Sequence, residues 1–538
     1  MNKLFYSVTV LMLSAVTVVC AQTEVQTGAS IAVTSTNKGK VRGYIENGIY
    51  TYKGIPYAQA KRFESAMPLE AWEGVKSTTT YGPVAYLMNP TTAVQDESEF
   101  VFDHSWGYAS EDNLRINVWT PAIKDSKKRA VLFWIHGGGF TAGSSQELPS
   151  YDGRHLAEKG DVVVVSINHR LNVLGFLDLS AYGEKYKHSA NNSMRDIVEA
   201  LKWVQLNIEN FGGDPNNVTI FGQSGGGAKV NTLMAMPSAE GLFHKAVNQS
   251  GAFRSGFQTK EVTQSIAKET LKILKIKSRN IDRIQEIPFS VLSKASQQAL
   301  QIVAERLAKE GRAPGGFGLN WGPSLDGDLI PYDMSSDDAY EMSKHIPLLI
   351  GTTKNEFATF ANGRFFGASE ETVMKHIEQT YKDKASAYIA AVRKAYPNDT
   401  QPHDLLTVDT MFRPGTVFQA NKKATVKDGA EVYMYLFTWQ SPVFDGKYQS
   451  VHCMELPFVF DNIELARNMT GGGIQAHALA DRVSKAWIHF AKTGNPNHSG
   501  LPEWPAYTPE NTATMHFDLN CEVKPQLDKE LFELISSL

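Results

Sequence analysis

The chain of 538 residues has the composition of an ordinary globular protein, with 42% hydrophobic and 20% charged residues. This balance excludes intrinsic disorder and fibrous structure. Its 53 Lys and Arg against 57 Asp and Glu give a net charge of -4. Because no block of like charge could neutralise a phosphate backbone, we expect no nucleic-acid partner. The three cysteines, Cys20, Cys453 and Cys521, are too few for a disulfide framework or a cysteine-rich metal site.

The first residues predict a signal for export. A positively charged start precedes the apolar stretch Leu4–Val19, and Cys20 and Ala21 follow it. This order is typical of a signal peptide that is cleaved after Ala21. About 16 apolar residues are short for a membrane anchor, and the bulky residue before Cys20 disfavours lipidation, but both remain alternatives. We expect a secreted or periplasmic protein with no membrane span in its mature form, in which residues 22–538 form a single domain.

A short antiparallel segment opens the predicted fold. The runs Val41–Ile45 and Ile49–Tyr52 are rich in strand-forming residues. They are joined by Asn47-Gly48, a pair that accepts the positive φ angles of a tight hairpin turn. After residue 129 the pattern changes to continuous apolar runs, as expected for parallel strands that are buried on both faces. These predicted strands are Ala130–Ile135, Val162–Ile167, Val218–Gly222, Ala246–Gln249, Pro347–Gly351 and Val432–Phe437.

One covering helix is clear from its periodicity. Apolar residues recur at three- and four-residue intervals from Met194 to Ile208. Asn192 and Ser193 are predicted to cap its start. The helix is expected to end at three helix-breaking residues, Gly212, Gly213 and Pro215.

Two long insertions between the strands are also predicted to be helical. They cover residues 258–311 and 370–423, where charged and apolar residues alternate at helical spacing. We interpret them as a cap over the sheet. With no internal repeat and no low-complexity linker, the whole pattern predicts one α/β domain with a doubly wound, mostly parallel sheet.

A nucleophile elbow is predicted at Gly222-Gln223-Ser224-Gly225-Gly226. It follows a buried strand directly and precedes a predicted helix, which is the context that this motif requires. Glycines two before and two after the serine let the strand and the helix pass without Cβ clashes. The context favours Ser224 as a nucleophile over the alternative of a glycine-rich turn with an incidental serine.

An oxyanion hole is predicted at His136-Gly137-Gly138-Gly139-Phe140, directly after the strand that ends at Ile135. Gly138 and Gly139 can turn their N–H groups towards one point, and the N–H of Gly225 approaches from the other side. A flexible connection is the alternative. It is disfavoured because Ser224 follows in the chain order that the fold requires.

With these two motifs the chain resembles the type-B carboxylesterase family, an α/β-hydrolase branch that includes cholinesterases and bacterial nitrobenzyl-esterase-like enzymes. The resemblance spans about Val41 to Phe517. It implies an α/β-hydrolase fold and hydrolysis of small carboxylic esters through an acyl-enzyme. The matching segments are Lys53-Gly54-Ile55-Pro56-Tyr57-Ala58, Ser110-Glu111-Asp112-Asn113-Leu114, Asn168-His169-Arg170-Leu171, Phe211-Gly212-Gly213-Asp214-Pro215, Gln249-Ser250-Gly251, Asp326-Gly327-Asp328 and Trp487-Ile488-His489-Phe490-Ala491.

The resemblance also implies the other two members of a catalytic triad, which spacing alone would not single out. The family's acid ends a Gly-Thr-Thr-Lys-Asn-Glu-like stretch, which here is Glu356, and its histidine opens a His-x-x-Glu-Leu-Pro-Phe-Val-Phe run, which here is His452. His452 would accept the Ser224 proton and return it to the leaving alkoxide, while Glu356 would orient the imidazole. We expect no metal and no organic cofactor, because the oxyanion hole supplies the electrophile.

The chain also departs from the family. Asn113 stands where animal members have a disulfide cysteine, so the loop of residues 86–113 lacks that bond. Cys453 and Cys521 are expected to be free thiols, although a bond between them remains an alternative. Gln223 replaces the glutamate of cholinesterase-like members. Because a negative charge is thereby lost, we expect neutral esters to be preferred over choline esters.

Several alternatives remain open at this point. The enzyme could be specialised for plant cell-wall esters of the feruloyl, acetyl or tannin type, or it could be a peptidase, since the same triad serves acyl transfer from amides. A non-catalytic interaction protein on the same fold, as in neuroligin-like relatives, is disfavoured by the intact Ser224 and His452. Trp106 and Trp321 could face the site, although buried packing is favoured for both. Neither the acyl and alcohol groups of the substrate nor the oligomeric state can be derived from the sequence.

Overall fold

The computed structural model describes residues 25–88, 97–252, 257–313 and 318–537. The predicted signal peptide and its cleavage site after Ala21 lie outside these residues. Within the described ranges, no helix is long and apolar enough to cross a membrane.

The described residues form 17 strands, and twelve of them make one sheet. The strands are β1 Val25–Gln26, β2 Val33–Thr36, β3 Gly39–Arg42, β4 Tyr44–Glu46, β5 Ile49–Pro56, β6 Val75–Ser77, β7 Arg115–Thr120, β8 Arg129–Ile135, β9 Val163–Ile167, β10 Gly213–Gln223, β11 Lys245–Gln249, β12 Gln258–Thr259, β13 Ser324–Leu325, β14 Leu348–Thr353, β15 Val432–Phe437, β16 Thr514–Phe517 and β17 Glu522–Lys524. The sheet order is β1-β4-β5-β7-β9-β8-β10-β11-β14-β15-β16-β17. Its centre, from β9 to β16, is parallel.

The central strands are buried on both faces, which confirms the doubly wound α/β sheet. Successive residues of β8 enter two different hydrophobic cores. Val131 and Phe133 pack into one core, and Leu132 and Trp134 pack into the other. Because side chains alternate along a strand, both layers of helices have an apolar surface to cover.

The predicted N-terminal hairpin is confirmed in part. Strands β4 and β5 pair antiparallel, with Tyr44 opposite Thr51. The first predicted run is divided, because Val41 lies in β3, which belongs to a separate three-stranded sheet with β2 and β6. The break falls at Gly43. A Cβ there would lie 2.9 Å from a ring carbon of Tyr52, so only glycine permits the close approach of the two chain segments.

The six predicted strands correspond to β8, β9, β10, β11, β14 and β15, and β15 has the predicted bounds. Strand β7 was missed although it is almost fully buried between β5 and β9. Its apolar run is interrupted by Asn117, whose amide donates 3.0 Å hydrogen bonds to Ser145 and Ser166. Strand β7 could not be predicted from a continuous apolar run, because it contains a buried polar side chain whose hydrogen bonds are made within the protein.

The described residues also form 16 α-helices, which cover the sheet and its C-terminal edge. They are α1 Glu97–Phe102, α2 Arg154–Gly160, α3 Asn172–Phe176, α4 Asn192–Asn207, α5 Gly225–Met234, α6 Lys260–Ile273, α7 Phe289–Lys309, α8 Asp337–Met342, α9 Ala358–Ala361, α10 Glu370–Tyr381, α11 Ala385–Ala395, α12 Arg413–Ala424, α13 Leu456–Val459, α14 Arg467–Thr470, α15 Ile474–Thr493 and α16 Lys529–Ser536.

Helix α4 is the helix predicted from Met194 onward, but its predicted start is wrong. Asn192 and Ser193 lie inside the helix, and the capping position is Asn191, whose side chain makes no capping bond. The Asn191 amide donates instead to the backbone carbonyl of Ser324 at 2.9 Å, so tertiary contacts take the place of a cap.

The predicted end of α4 also needs correction. The helix passes into a 3₁₀ turn, Ile208–Phe211, which ends at Gly212 with φ 77°. Gly213 and Pro215 already belong to β10. A terminating glycine was therefore predicted correctly, but it ends the 3₁₀ turn rather than the α-helix.

Both insertions are helical, as predicted, and each follows the C-terminal end of a central strand. The first contains α6 and α7 and packs into the main core through residues such as Ile266 and Leu292. The second contains α10, α11 and α12. Helices α10 and α11 share a separate core with the C-terminal α16, through residues such as Val373, Tyr388 and Leu531. The carboxyl ends of the strands are where open α/β sheets bind ligands.

Candidate active site

Ser224 stands at the sharp junction between β10 and α5. Its φ of 57° and ψ of −125° lie in a region that non-glycine residues rarely occupy. The flanking glycines allow this turn, because a Cβ at Gly222 would lie 2.8 Å from the carbonyl oxygen of Ile135. The Ser224 N–H donates to the carbonyl of Gln249 at 2.8 Å, which anchors the turn to β11. The local structure is that of a nucleophile elbow.

Glu356 and His452 form a buried hydrogen-bonded pair. The Glu356 carboxylate, which is fully buried, accepts from Nδ1 of His452 through Oε2. Its other oxygen accepts from the Ser250 hydroxyl at 2.6 Å and from the Thr353 N–H at 2.9 Å. The main chains also meet, since the His452 N–H donates to the Glu356 carbonyl at 3.1 Å. Because the carboxylate can only accept, Nδ1 carries the hydrogen and Nε2 is left as the basic nitrogen.

Three other side chains hold the imidazole of His452. The rings of Phe357 and Phe412 lie 4.2 Å and 5.0 Å from it, centroid to centroid. The amide nitrogen of Gln223 lies 3.3 Å from Nδ1 and 3.2 Å from Nε2. It is therefore almost equally close to both ring nitrogens. In the described part of the chain no hydrogen bond joins Ser224 to His452. Hydrogen bonds between catalytic groups often tighten only when substrate binds.

The predicted oxyanion residues lie against one another. Gly138 and Gly139 have left-handed φ angles of 77° and 60°. A Cβ on Gly225 would lie 2.5 Å from the nitrogen of Gly139, so the loop and the start of α5 are in contact. The N–H groups of these three glycines donate to no acceptor in the residues that the structure describes. They are therefore free to bind a negatively charged oxygen.

Two further buried carboxyl groups, those of Glu455 and Asp409, interact electrostatically with Glu356. Burial and the charge of Glu356 raise the pKa of Glu455 and that of Asp409 to about 7. Glu455 accepts a 3.0 Å hydrogen bond from the Gln249 amide. Asp409 accepts from the backbone N–H of Phe412 at 3.1 Å, which fixes the ring that stacks on the imidazole.

Sequence reasoning missed the residues that support the candidate triad. Ser250 lies in the Gln249-Ser250-Gly251 segment that marked the family, so a signal for it was present. Phe357 and Phe412 carry no such signal, since a phenylalanine in a buried segment is common. The catalytic roles of Ser224, Glu356 and His452 and of the oxyanion glycines remain predictions.

The other flagged residues have structural surroundings of their own. Cys453 and Cys521 are both free thiols; burial raises the pKa of Cys453 well above its usual range, and its thiol donates to Gln223 Oε1 at 3.2 Å. Trp321 is buried, as favoured above. Trp106 is half-buried and stacks on the ring of His104 at 4.4 Å.

No group of three or more His, Cys, Asp or Glu in residues 25–88, 97–252, 257–313 and 318–537 could hold a metal ion. The expectation that the reaction needs no metal remains a prediction.

Comparisons with known proteins give the family. The model of the carboxylesterase family matches residues 30–534. The para-nitrobenzyl esterase of Bacillus subtilis (strain 168) is 36% identical over 505 residues, which cover 92% of this chain and 97% of that protein. Among solved structures, an esterase from Clostridium hathewayi has a TM-score of 0.82 at 38% identity, covering 94% of this chain and 98% of the other. A Geobacillus stearothermophilus carboxylesterase has a TM-score of 0.71 at 35% identity, covering 92% and 97%. The chain therefore belongs to the carboxylesterase family and is a carboxylic ester hydrolase with an α/β-hydrolase fold.

Proposed function

We propose that this hydrolase is a serine esterase in which Ser224 is the nucleophile, His452 the general base and acid, and Glu356 the residue that orients the imidazole. The observation that carries the proposal is the buried Glu356–His452 hydrogen bond next to the strained turn at Ser224. Gln223, the neighbour of Ser224 in the chain, contacts the imidazole directly, so the two parts of the site adjoin each other.

The mechanism follows from these groups. Nε2 of His452 takes the Ser224 proton as the hydroxyl oxygen attacks the ester carbonyl. The N–H groups of Gly138, Gly139 and Gly225 stabilise the oxygen that becomes negative, and each such donor commonly contributes on the order of 10²–10³ in rate. The imidazolium then protonates the leaving alkoxide. Water repeats the same sequence on the acyl-enzyme and releases the acid.

We propose neutral esters as the substrate class, because the buried Gln223 places an uncharged amide beside the imidazole. One relative is called para-nitrobenzyl esterase, and another can hydrolyse aliphatic aromatic polyesters. Esters with an aromatic group are therefore the first to test. An ester library separates this proposal from the alternative of a plant cell-wall esterase, which would prefer feruloyl, acetyl or tannin-type esters.

Export is part of the proposal. It rests on the apolar stretch Leu4–Val19 and the small residues before the cleavage site at Ala21. The mature enzyme would then act outside the cytoplasm. The N-terminal sequence of the protein recovered from the medium or the periplasm tests this, and an uncleaved Met1 in the soluble, active protein would contradict it.

The serine mechanism is tested by labelling and by substitution. A phosphonate should modify Ser224, and Ser224→Ala should lower kcat by on the order of 10⁶, as loss of a triad nucleophile does elsewhere. Ser180→Ala, a serine that binds Asp178 away from the site, is the matched control and should keep full activity. A chelator should leave the rate unchanged. If the Ser224→Ala enzyme keeps a tenth of the wild-type rate, Ser224 is not the nucleophile.

A further inference from the structure

Lys229 is a buried lysine that lies between the nucleophile helix and the oxyanion loop. It follows Ser224 on α5 and is fully buried. Its Nζ donates to the backbone carbonyl of His136 at 3.1 Å and to that of Gly137 at 3.5 Å. Among the described residues it forms no ion pair within 4.0 Å. A lysine thus connects the two segments of the active site through main-chain carbonyls.

The carbonyl of Gly137 and the N–H of Gly138 belong to the same peptide group. In a trans peptide these two groups point in opposite directions. Holding the Gly137 carbonyl towards Lys229 therefore directs the Gly138 N–H away from the lysine. Nδ1 of His136 lies 3.0 Å from the same carbonyl and is a second donor to it. The two hydrogen bonds to the Gly137 carbonyl therefore restrain the peptide group to which the Gly138 N–H belongs.

Burying the charged amine of a lysine at this position costs free energy. Burial lowers the pKa of Lys229 to about 7, and only the charge of Glu147 opposes this effect. Burial in turn raises the pKa of Glu147 to about 7, and Tyr151 donates to Glu147 at 3.3 Å. The neighbouring His136 and His169 are fully buried, and their pKa values are held well below the usual range, so both rings are neutral. An apolar residue would avoid the cost of burial but could not bind the two carbonyls.

The Lys229 amine donates N–H bonds whether it is charged or neutral. Its contacts with the loop are therefore kept across the pH range in which the amine titrates. This property suits a device that must hold a donor in place while His452 changes its own charge during turnover.

We propose that Lys229 is a positioning residue for ester hydrolysis, which orients the Gly138 N–H by holding the carbonyls of His136 and Gly137. It acts on the oxyanion hole through the loop and touches neither the nucleophile nor the substrate. The inference rests on the proposed role of Gly138 as an oxyanion donor.

The test is Lys229→Met, whose side chain is one atom shorter than that of lysine, fills most of the same space and has no N–H donors. We expect kcat to fall by about 10- to 100-fold, which is less than the loss of a whole oxyanion donor, with KM within about threefold of wild type. The Ki of a trifluoromethyl ketone should rise by the same factor as kcat/KM falls, because its hemiketal oxygen needs the same donors.

A matched control is available in the chain. Lys423 on α12 is also buried, donates to the carbonyl of Ser343, and has its pKa lowered to about 8 by burial. Lys423→Met removes the same kind of contact away from the oxyanion loop. It should leave kcat and the ketone Ki unchanged, even if it lowers the melting temperature as much as Lys229→Met does.

Two outcomes would overturn the inference. An unchanged kcat in folded Lys229→Met would make the lysine a packing residue only, and a raised KM with unchanged kcat would assign it to substrate binding. If the methionine variant does not fold, Lys229→Leu, which also has no side-chain donor, is measured in the same way. Phosphonate labelling of Ser224 in the wild type separates this result from a failure of the serine mechanism.

Discussion

Gln223→Glu would place a negative charge directly against the imidazole of His452. The wild-type amide nitrogen lies 3.2 Å from Nε2, and Gln223 is fully buried. Two unit charges at this distance attract by about 5 kcal/mol at an effective dielectric near 20, which corresponds to an upper limit of more than three pH units. Burial makes the new carboxylate itself costly to ionise and removes part of this effect. We therefore expect the acid limb of kcat/KM to move to higher pH by about 1 to 2 units, because the imidazolium is stabilised.

The assay is the kcat/KM of a neutral acetate ester between pH 5 and 9. Gln223→Met is the control, since it has a similar length and no charge and should leave the midpoint of the limb where it is in the wild type. The glutamate variant should also narrow the difference in kcat/KM between a choline ester and its neutral analogue. A midpoint in Gln223→Glu equal to or below that of Gln223→Met would refute the reasoning, because the contact would then carry no electrostatic coupling.

Two further changes probe the frame of the site. The folded pKa of Glu455 is raised to about 7 by burial and by Glu356, so the native protein holds a proton that the unfolded chain releases above about 4.5, and stability falls as the pH rises through this window. Glu455→Gln should remove this loss, so the free energy of unfolding of the variant relative to that of the wild type should rise by about 3 kcal/mol between pH 4.5 and pH 8. If urea unfolding gives the same difference between variant and wild type at both pH values, the prediction is wrong. Gly225→Ala should lower kcat by at least about 10²-fold, because its Cβ would lie 2.5 Å from the Gly139 nitrogen. Gly473→Ala, whose Cβ would meet nothing within 4 Å, is the matched control, and equal rates in the two variants would show that the contact is not needed.

Much of the fold could be predicted, because each continuous apolar run arises from a strand that is buried in the sheet. A strand that is buried on both faces of a parallel sheet must be apolar throughout, and Val432–Phe437 matched β15 for this reason. Strand β7 could not be found in this way, because the polar Asn117 is satisfied by serines that are distant in the chain. The start of α4 failed for a similar reason, since Asn191 binds Ser324. Sequence patterns over a few neighbouring residues cannot indicate hydrogen-bond partners that are distant in the chain.

The residues of the candidate site also fall into two groups, those that the local sequence indicates and those that it does not. The elbow at Ser224 and the glycines of the oxyanion loop could be predicted, because their backbone shapes require particular residues in adjacent positions. Glu356 and His452 needed the family resemblance, since nothing local distinguishes them from other acids and histidines. Lys229 was not singled out at all. Its partners are main-chain carbonyls of a distant loop, and a carbonyl has no side-chain identity that a sequence could reveal.

The short β-bridge between Glu356 and Val451 bears on how such an enzyme can be modified. The bridge joins the segment after β14 to the segment that precedes α13, where the His452 N–H donates to the Glu356 carbonyl, so main-chain hydrogen bonding sets the spacing of Glu356 and His452. Apart from proline, which lacks an N–H, side-chain substitutions leave these main-chain groups in place. The insertion of residues 258–311 follows β11 and contains neither bridged segment, so it can be varied without altering this bridge. Residues 370–423, by contrast, include Phe412, whose ring stacks on the imidazole of His452. For directed evolution this separates the problem in two: libraries in residues 258–311 can vary substrate preference while the Glu356–His452 pair stays in place, and libraries in residues 370–423 must keep Asp409 and Phe412.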